Sequence, residues 1–497
     1  MWTGRGAIMV LGHKEDLMPR QLTVVRPFGS PSNRARRLRE ILDEEVRERC
    51  GPNATLEEEC DVAWSLTNEA LWLHADERLR ARLSDADEIE VDGRRYRRMK
   101  QRSSATYFSP WGRHVVEEPL YRATDVRNGP TMKPVELRSG IAHHMLPNLA
   151  RVVGELHADG SSRRVVRTLK AVGLVAPSRS FIEKRIRAMG DELADSASSL
   201  EEAARDAEEL PADIASVSCG LDRMSVRMAE EMDPSLAAGR PRRTKPYLRT
   251  PPPPKEYHYR KAWVGSTTVY DHDGNELRTW RCAVEADADA DDLAERVAAD
   301  VAWISRACPS IPLHCIQDAA PELSALPAAL RRVLPSEMKV CEFVDFEHLV
   351  GYLEDVVDAC EPPGDPQDWK GWYRVTLLKE DNGIDNILRK LRRMAKKIAR
   401  SDDRARSAVA AAISYIRRRR NKMRYASSYA ANLPIGSGAT ESTCWQMQTR
   451  VKLPGQSWEP PGLRGVLATR GLVLSERWPA AWKHYAATKR PEVRLAA

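Results

Sequence analysis

The stretch PIGSGATESTCW, from Pro434 to Trp445, holds a single acid, Glu441, three residues after a Gly-Ser-Gly turn. Gly436 and Gly438 let the backbone bend tightly, and Ser437 or Thr440 can cap a helix that follows. A lone carboxylate at a helix start has two readings. It complements the helix dipole, worth about 0.3–1 kcal/mol, or it is one leg of a metal site whose other legs lie elsewhere. Asp222 and Asp318 fit the second reading, each expected at the end of a buried strand, in IASVSCGLDRMSVRM and IPLHCIQDAAPEL. Taken singly, an Asp at a strand end is more often a turn cap. Three carboxylates meeting at a sheet edge repel one another and call for hard divalent cations, Mg²⁺ or Mn²⁺. Two ions per site would activate a water or a 3′-hydroxyl and stabilise the leaving oxygen of an in-line phosphoryl transfer.

The elements that would bring these acids together follow a definite order. After the Asp222 strand, KAWVGSTTVYDHDG and NELRTWRCAVEA flank Asp273-Gly274-Asn275, a hairpin turn. The amphipathic helix DADDLAERVAADVAWISRAC opens on acids, as the dipole prefers. The Asp318 strand, a helix interrupted by Pro327, and MKVCEFVDFEHLVGYL, a strand entering a helix near Asp345, complete the series. The order βββαβαβ predicts an RNase H-like fold, a mixed sheet with helices on its faces. In that order the first and fourth strands are neighbours. Glu441 then arrives on a late helix, after a helical insertion.

Upstream, Asn33–Leu83 is helical and acidic, with Thr67 and Asn68 breaking the apolar series, and residues 1–30 read as a loose arm. EIEVDGRRYRRM predicts a hairpin at Asp92-Gly93, and GRHVVEEPLYRAT a further strand. Two short helices joined by VGLVAPS, with Ser161 or Ser162 and Ser178 as caps and Gly173 as terminator, match helix-turn-helix spacing. The second carries Arg179, Lys184, Arg185 and Arg187. The plain alternative is a helical hairpin with solvated charges.

The net charge of +7 says less than its distribution. Residues 240–261, with Arg242, Arg243 and Lys245, carry eight Lys/Arg and one Glu in a proline-rich, aperiodic stretch that reads as a surface loop able to close on DNA. From Arg389 to Tyr425 there are fifteen Lys/Arg against Asp402 and Asp403, while Ile384, Ile387, Leu388, Leu391, Met394 and Ile398 form a helical stripe. Such a run is often a solvated face, but this imbalance implies self-repulsion unless anions are near, so Arg417, Arg418, Arg419 and Arg420 are expected to grip phosphate as one outward band. Arg450 and Lys452 follow Glu441 with the same expectation. Nine cysteines without a C-x-x-C pair argue against a disulfide framework and a four-cysteine zinc site. No stretch approaches the ~20 apolar residues of a membrane span. The expected location is the cytoplasm, at the nucleoid.

The segments GLDRMSV, CIQDAAPEL, VDFEHL and PIGSGATESTCWQMQTRVKLPGQSW, with a closing RWPAAWKHY, resemble the motif blocks of bacterial insertion-sequence DDE transposases, in the group related to Mutator-type elements. The resemblance covers about 214–485, and extends more faintly back to about 105. It implies Asp222, Asp318 and Glu441 as the catalytic, metal-binding triad. It also matches Asp345 and His348 to a D-x-x-H signature, with His348 steadying a carboxylate, contacting the scissile phosphate or shuttling a proton. Relatives often have Gly after each catalytic Asp, where this chain has Arg223 and Ala319, and many have a cysteine pair that is missing after Tyr121.

The organisation read from the sequence is an acidic helical region (1–104), a small β unit with the helix-turn-helix (105–205), the RNase H-like catalytic core (206–380 and 431–497) and a basic helical insertion (381–430). The implied function is a DNA transposase acting on double-stranded DNA, its terminal inverted repeats and its target, as a homodimer or larger. The alternative is a decayed or repurposed copy that only binds DNA. An RNA-processing nuclease is the third reading.

Overall fold

The computed structural model describes residues 32–232, 255–285, 288–318, 320–361 and 364–495. Arg242, Arg243, Lys245 and Ala319, and all of the expected N-terminal arm (1–30), lie outside them. The chain divides into two compact units, residues 1–71 and 72–497.

In the first unit, α1 (Asn33–Arg49) starts where the Ser32 side chain accepts from the Ala35 backbone N–H at 3.2 Å. It buries none of its residues. The next helix, α2 (Leu56–Arg80), passes unbroken through Thr67 and Asn68, with the Thr67 hydroxyl donating back to the Ala63 carbonyl at 2.8 Å.

In the second unit, β1 (Glu88–Val91) and β2 (Arg94–Ser109) form the hairpin at Asp92-Gly93, whose φ values of 48° and 79° suit a two-residue turn. The long β2 runs through residues 104 and 105, so the two β segments read separately join one antiparallel sheet with β3 (Gly112–Ala123) and β4 (Thr131–Met132). Five helices follow: α3 (Pro134–Ser139), α4 (Pro147–Asp159), α5 (Ser162–Ala171), α6 (Arg179–Asp195) and α7 (Ala197–Ala207). Ser161 caps α5 by accepting from the Arg164 N–H (3.3 Å), and Ser178 caps α6 by accepting from the Phe181 N–H (3.2 Å). Gly173 turns between them with φ +70°, a conformation that favours glycine.

The second sheet is mixed, ordered β7-β6-β5-β8-β9. β5 (Ser216–Glu231), β6 (Lys255–Tyr270) and β7 (Glu276–Val284) form an antiparallel meander, and β8 (Leu313–Gln317) and β9 (Val340–Val344) extend it in parallel. Between β7 and β9, α8 (Ala290–Ala307) and α9 (Ala325–Val333) are the crossovers. Pro327 sits in the first turn of α9, where its missing N–H is not needed, so it does not break the helix. α8 covers one face of the sheet through Val217, Cys219, Leu221, Leu293, Val297 and Val301.

Beyond β9 come α10 (Phe346–Cys360), α11 (Pro366–Lys379), α12 (Gly383–Lys397), α13 (Asp403–Arg419) and α14 (Tyr425–Ala430). The stripe Ile384, Ile387, Leu388 and Leu391 packs with Val344, Phe346 and Leu349, which fastens the basic insertion to the sheet edge. Then come α15 (Gly438–Val451), α16 (Pro460–Leu474) and α17 (Trp478–Thr488); α17 packs with α4 and α6, while α15 and α16 cover the other face of the sheet. There Met224, Val226 and Met228 meet Cys444, Met447, Leu463 and Leu467. The last strand, β10 (Val493–Leu495), pairs with β1 and closes the first sheet, a return the sequence reading did not anticipate.

Candidate active site

Asp222 does not end its strand. β5 continues to Glu231, because Met224, Val226 and Met228 keep burying the same face against α15 and α16. What stops nearby is the parallel ladder. Val217 pairs with Leu313 and Cys219 with Cys315, so three residues further Asp222 is level with Asp318. Leu313 pairs with Val340 and Gln317 with Val344, so the next position sets Asp318 level with Asp345. By continuation of the register, Asp222 within β5 and Asp318 and Asp345, which directly follow β8 and β9, fall in one row across three neighbouring strands.

Glu441 reaches this row through close helix packing. A Cβ at Gly220 would meet the Ile316 carbonyl at 2.4 Å and the Thr440 hydroxyl at 2.6 Å, so only glycine admits α15 this near. Thr440 and Ser266 join hydroxyls at 2.7 Å across the same contact. Asp222 lies two residues on and points to that same face. Burial, with the Asp222 carboxylate adding to it, pushes the Cys444 thiol up to about 11. The loop leading into α15 is tied down at two points. His314 Nδ1–H donates to the Pro434 carbonyl at 2.6 Å, and Phe346 N–H to the Ile435 carbonyl at 3.2 Å. Beside it, the Tyr425 hydroxyl donates to the Val344 carbonyl at 3.0 Å.

Asp345 is the buried hub. It caps α10 by accepting from the His348 N–H at 2.6 Å, which gives the D-x-x-H spacing a physical basis as cap and third helical residue. Its other oxygen accepts from Ser437 N–H (2.6 Å) and the Ser437 hydroxyl (2.8 Å). Ser437 occupies the cap position of α15 without capping it, and its Oγ also stands 3.0 Å from Glu441 Oε1. One hydroxyl proton serves only one of two carboxylates, so the pairing of Glu441 is complete only when it takes a proton or a cation.

Asp318 stands 3.4 Å from His348 Nδ1. The His348 ring lies against Tyr352 and Tyr415 (centroids 5.6 and 5.7 Å), which stack on each other at 4.3 Å, and Arg419 covers Tyr415 at 4.5 Å. The insertion thus reaches the acids through Tyr415 and Arg419. The sequence reading missed Ser437 as a link, along with Tyr352, Tyr415 and His314. A phenol on a cation-rich helix four residues before Arg419 was the available signal for Tyr415.

Burial raises the Asp318 carboxyl above its ordinary range, with Asp222 and Asp345 adding to the rise and His348 and Arg223 opposing it. Burial also raises Glu441, reinforced by Asp345, Asp222 and Asp318 against the Ser437 hydrogen bond. The donors are hard oxygens, and the raised proton affinity of Asp318 and Glu441 is the mark of a site short of positive charge, so the set fits a divalent cation in kind. Among the described residues, however, no three His, Cys, Asp or Glu side chains stand close enough to hold one ion. Asp222 instead accepts from the Arg223 N–H (2.6 Å), Asp318 faces His348 and Glu441 faces Ser437.

The residues expected at nucleic acid fall into different settings. Arg179 and Lys184 are exposed on α6. Arg185 lies over Phe181 at 5.5 Å, and Arg187 pairs with Glu459 at 2.7 Å. Arg417 and Arg418 are exposed, but Arg419 turns to Tyr415 and Arg420 pairs with Asp385 at 2.5 Å, so the four do not form one outward band. Four consecutive helical residues point all round the axis. Lys452 is exposed. Arg450 is only 2% exposed, drawn inside by Trp458 and the His157 carbonyl, and so is not part of an outward basic face.

No protein-family model matches the chain, and no curated protein matches it. Among the described residues no helix is long and apolar enough to cross a membrane.

Proposed function

We propose that the chain is a DDE-type DNA transposase that binds the ends of its insertion sequence and cuts and joins DNA. The observation that carries this reading is the row of Asp222 within β5 and Asp318 and Asp345 at the ends of β8 and β9, with Glu441 delivered beside it by α15. The sheet order, a three-strand meander extended by two parallel strands, supports an RNase H-like core. The cap-turn-cap geometry of α5 and α6 supports a helix-turn-helix.

In this mechanism Asp222, Asp318 and Glu441 would hold Mg²⁺ or Mn²⁺, two ions per site. The ions would supply an activated water or 3′-hydroxyl and neutralise the leaving oxygen. The chain's own part is positioning. Asp345 and Ser437 fix where Glu441 starts, Gly220 lets α15 approach, and His348 holds Asp318 and is placed to take a proton from it or give one back. Arg417 and Arg418 would bear on the phosphate backbone. Transposition pairs two ends, so a dimer or larger on DNA is expected, at the nucleoid in the cytoplasm.

A second reading is a repurposed copy that binds DNA without cutting. The charge of Arg223 acts on Asp318, where it competes with a metal ion. The test is the purified chain with a duplex carrying its own element's end and Mg²⁺ or Mn²⁺. Nicked and joined products that vanish with Asp222→Ala support the transposase. Binding without cleavage supports the second reading, and no binding removes both.

A further inference from the structure

A cleft of about 490 Å³ runs between α4, the start of α5, α6 and the segment around Trp458, apart from the acidic row. Its lining carries four cations, Arg179, Arg187, Lys255 and Arg450, against two carboxylates, Glu183 and Glu459. Glu459 is shared by Arg187 and Lys255, and Glu183 faces Arg179 at 3.7 Å. Arg450 is left over. Its Nε donates to the His157 carbonyl at 3.1 Å, while Nη1 is buried with no hydrogen-bond partner. The carboxylate that acts on it, Asp159, is already held by Arg470 at 2.5 Å. Nearby His157 does not supply negative charge, and burial beside Arg450 pushes it down to about 3, so it is neutral.

A buried guanidinium without an anion is an incomplete structure. Guanidinium geometry matches a phosphate's paired oxygens. The start of α5 points the same way. Ser161 and Ser162 line the cleft, and a helix N-terminus adds positive potential and free N–H donors. We propose that this cleft binds one phosphodiester of the DNA, with Arg450 as its buried anchor and the start of α5 beside it. The inference rests on the DNA-binding reading above and adds a second grip, remote from the acids. It also changes the role expected of Arg450, from a surface contact to the floor of a cleft.

The test compares the full chain with Arg450→Gln and Arg450→Lys. DNA affinity is measured against salt on the element's end. Removing one phosphate contact should lower the magnitude of the log–log slope by about 0.9, with Lys keeping most of it. Thermal melts run in parallel with and without inorganic phosphate. Phosphate should raise the midpoint of the wild type and not of Arg450→Gln, and Arg450→Gln alone should melt no lower, since it removes an unpaired charge. An unchanged slope in a folded Arg450→Gln protein overturns the proposal. So does phosphate protection without a slope change, which would make the occupant a small anion. A lowered midpoint restored by Lys without any phosphate effect would make Arg450 a structural residue only, and also overturns it. If the chain binds no DNA at all, the transposase reading fails and the phosphate melts still decide whether the cleft takes the anion.

Discussion

Two groups of acids border the second sheet and are treated in opposite ways. Beside α8, Glu201 and Arg296 are both buried and bonded in a fork, with Nε–Oε2 at 3.0 Å and Nη2–Oε1 at 2.5 Å. Asp300 accepts from Arg205 and Arg477 at 2.9 Å each, and Arg477 also pairs with Glu208 at 3.0 Å. Burial alone would raise Glu201, but Arg296, with Arg477 and Arg205, brings it below the ordinary value. At the other group, Asp222, Asp318, Asp345 and Glu441 share one serine, one histidine and one capping turn, and Asp318 and Glu441 are pushed upward. Acids with built-in cations hold elements together. Acids left short of cations are arranged to receive one, and that deficit, rather than the mere presence of acids, marks the candidate site.

The largest expected effect separates function from fold. Asp318→Asn or Glu441→Gln should lower strand cleavage by about 10³-fold or more, equivalent to about 4 kcal/mol in the barrier. Folding stability should stay level or rise, because a repelling charge is removed. A urea melt beside the cleavage assay reads both. A variant that lost stability in proportion to activity would erase the contrast.

Next comes the mirror experiment. Arg296→Met leaves Glu201 buried and unpaired, which should destabilise the protein by about 3–5 kcal/mol. The double variant Arg296→Met with Glu201→Leu should recover most of that loss, and cleavage per folded molecule should be unaffected. Urea midpoints at unchanged slope measure it. A harmless Arg296→Met would show that the paired network does not carry the fold.

A smaller effect is expected on the insertion. Arg417→Ala with Arg418→Ala removes two exposed cations, and each lost phosphate contact should flatten the salt dependence by about 0.9. Specific and random duplexes should suffer alike. Arg420→Ala should matter less, because Asp385 already engages it. A loss confined to the element's end would make these arginines base readers instead.

The strand series, the hairpin at Asp92-Gly93 and the caps at Ser161 and Ser178 were legible because periodicity and turn chemistry are local. Asp318 and Glu441 stand where the sequence placed them, after a short buried strand and at a helix start, whereas Asp222 was expected at a strand end and lies inside β5. Long-range closure was not legible. Nothing in VRL near the C-terminus announces that it pairs with β1. The run of β5 past Asp222 depends on α15 and α16, which arrive more than two hundred residues later. Arg450 and Lys452 look alike in sequence, and only packing against Trp458 sends one inside. Tyr415 reads as one more residue of a basic helix until α13 is laid beside His348.

The smallest expected effect is the pH dependence of stability, and its sign differs between the two groups. Asp318 and Glu441 hold protons more tightly in the folded chain than when unfolded. Between the ordinary carboxylate value and their raised values the folded state binds more protons, so these two make stability fall as pH rises through that window. Glu201 is lowered, so its contribution is present above the ordinary value and is lost as pH falls through the lowered one. Asp318 and Glu441 keep solvent contact, and water screens their repulsion, so the midpoint shift should be modest. Thermal melts from about pH 4 to 7 would show it as a rise on mild acidification that Asp318→Asn reduces and Asp318→Asn with Glu441→Gln removes. Mg²⁺ at neutral pH should imitate the acid, since a cation relieves the same repulsion and binding to the folded state alone raises stability. That response should vanish in Asp318→Asn and persist in Arg417→Ala. A wild type that gains nothing from either proton or Mg²⁺ would mean that the row carries no charge deficit, and the contrast between the two groups of acids would fail with it.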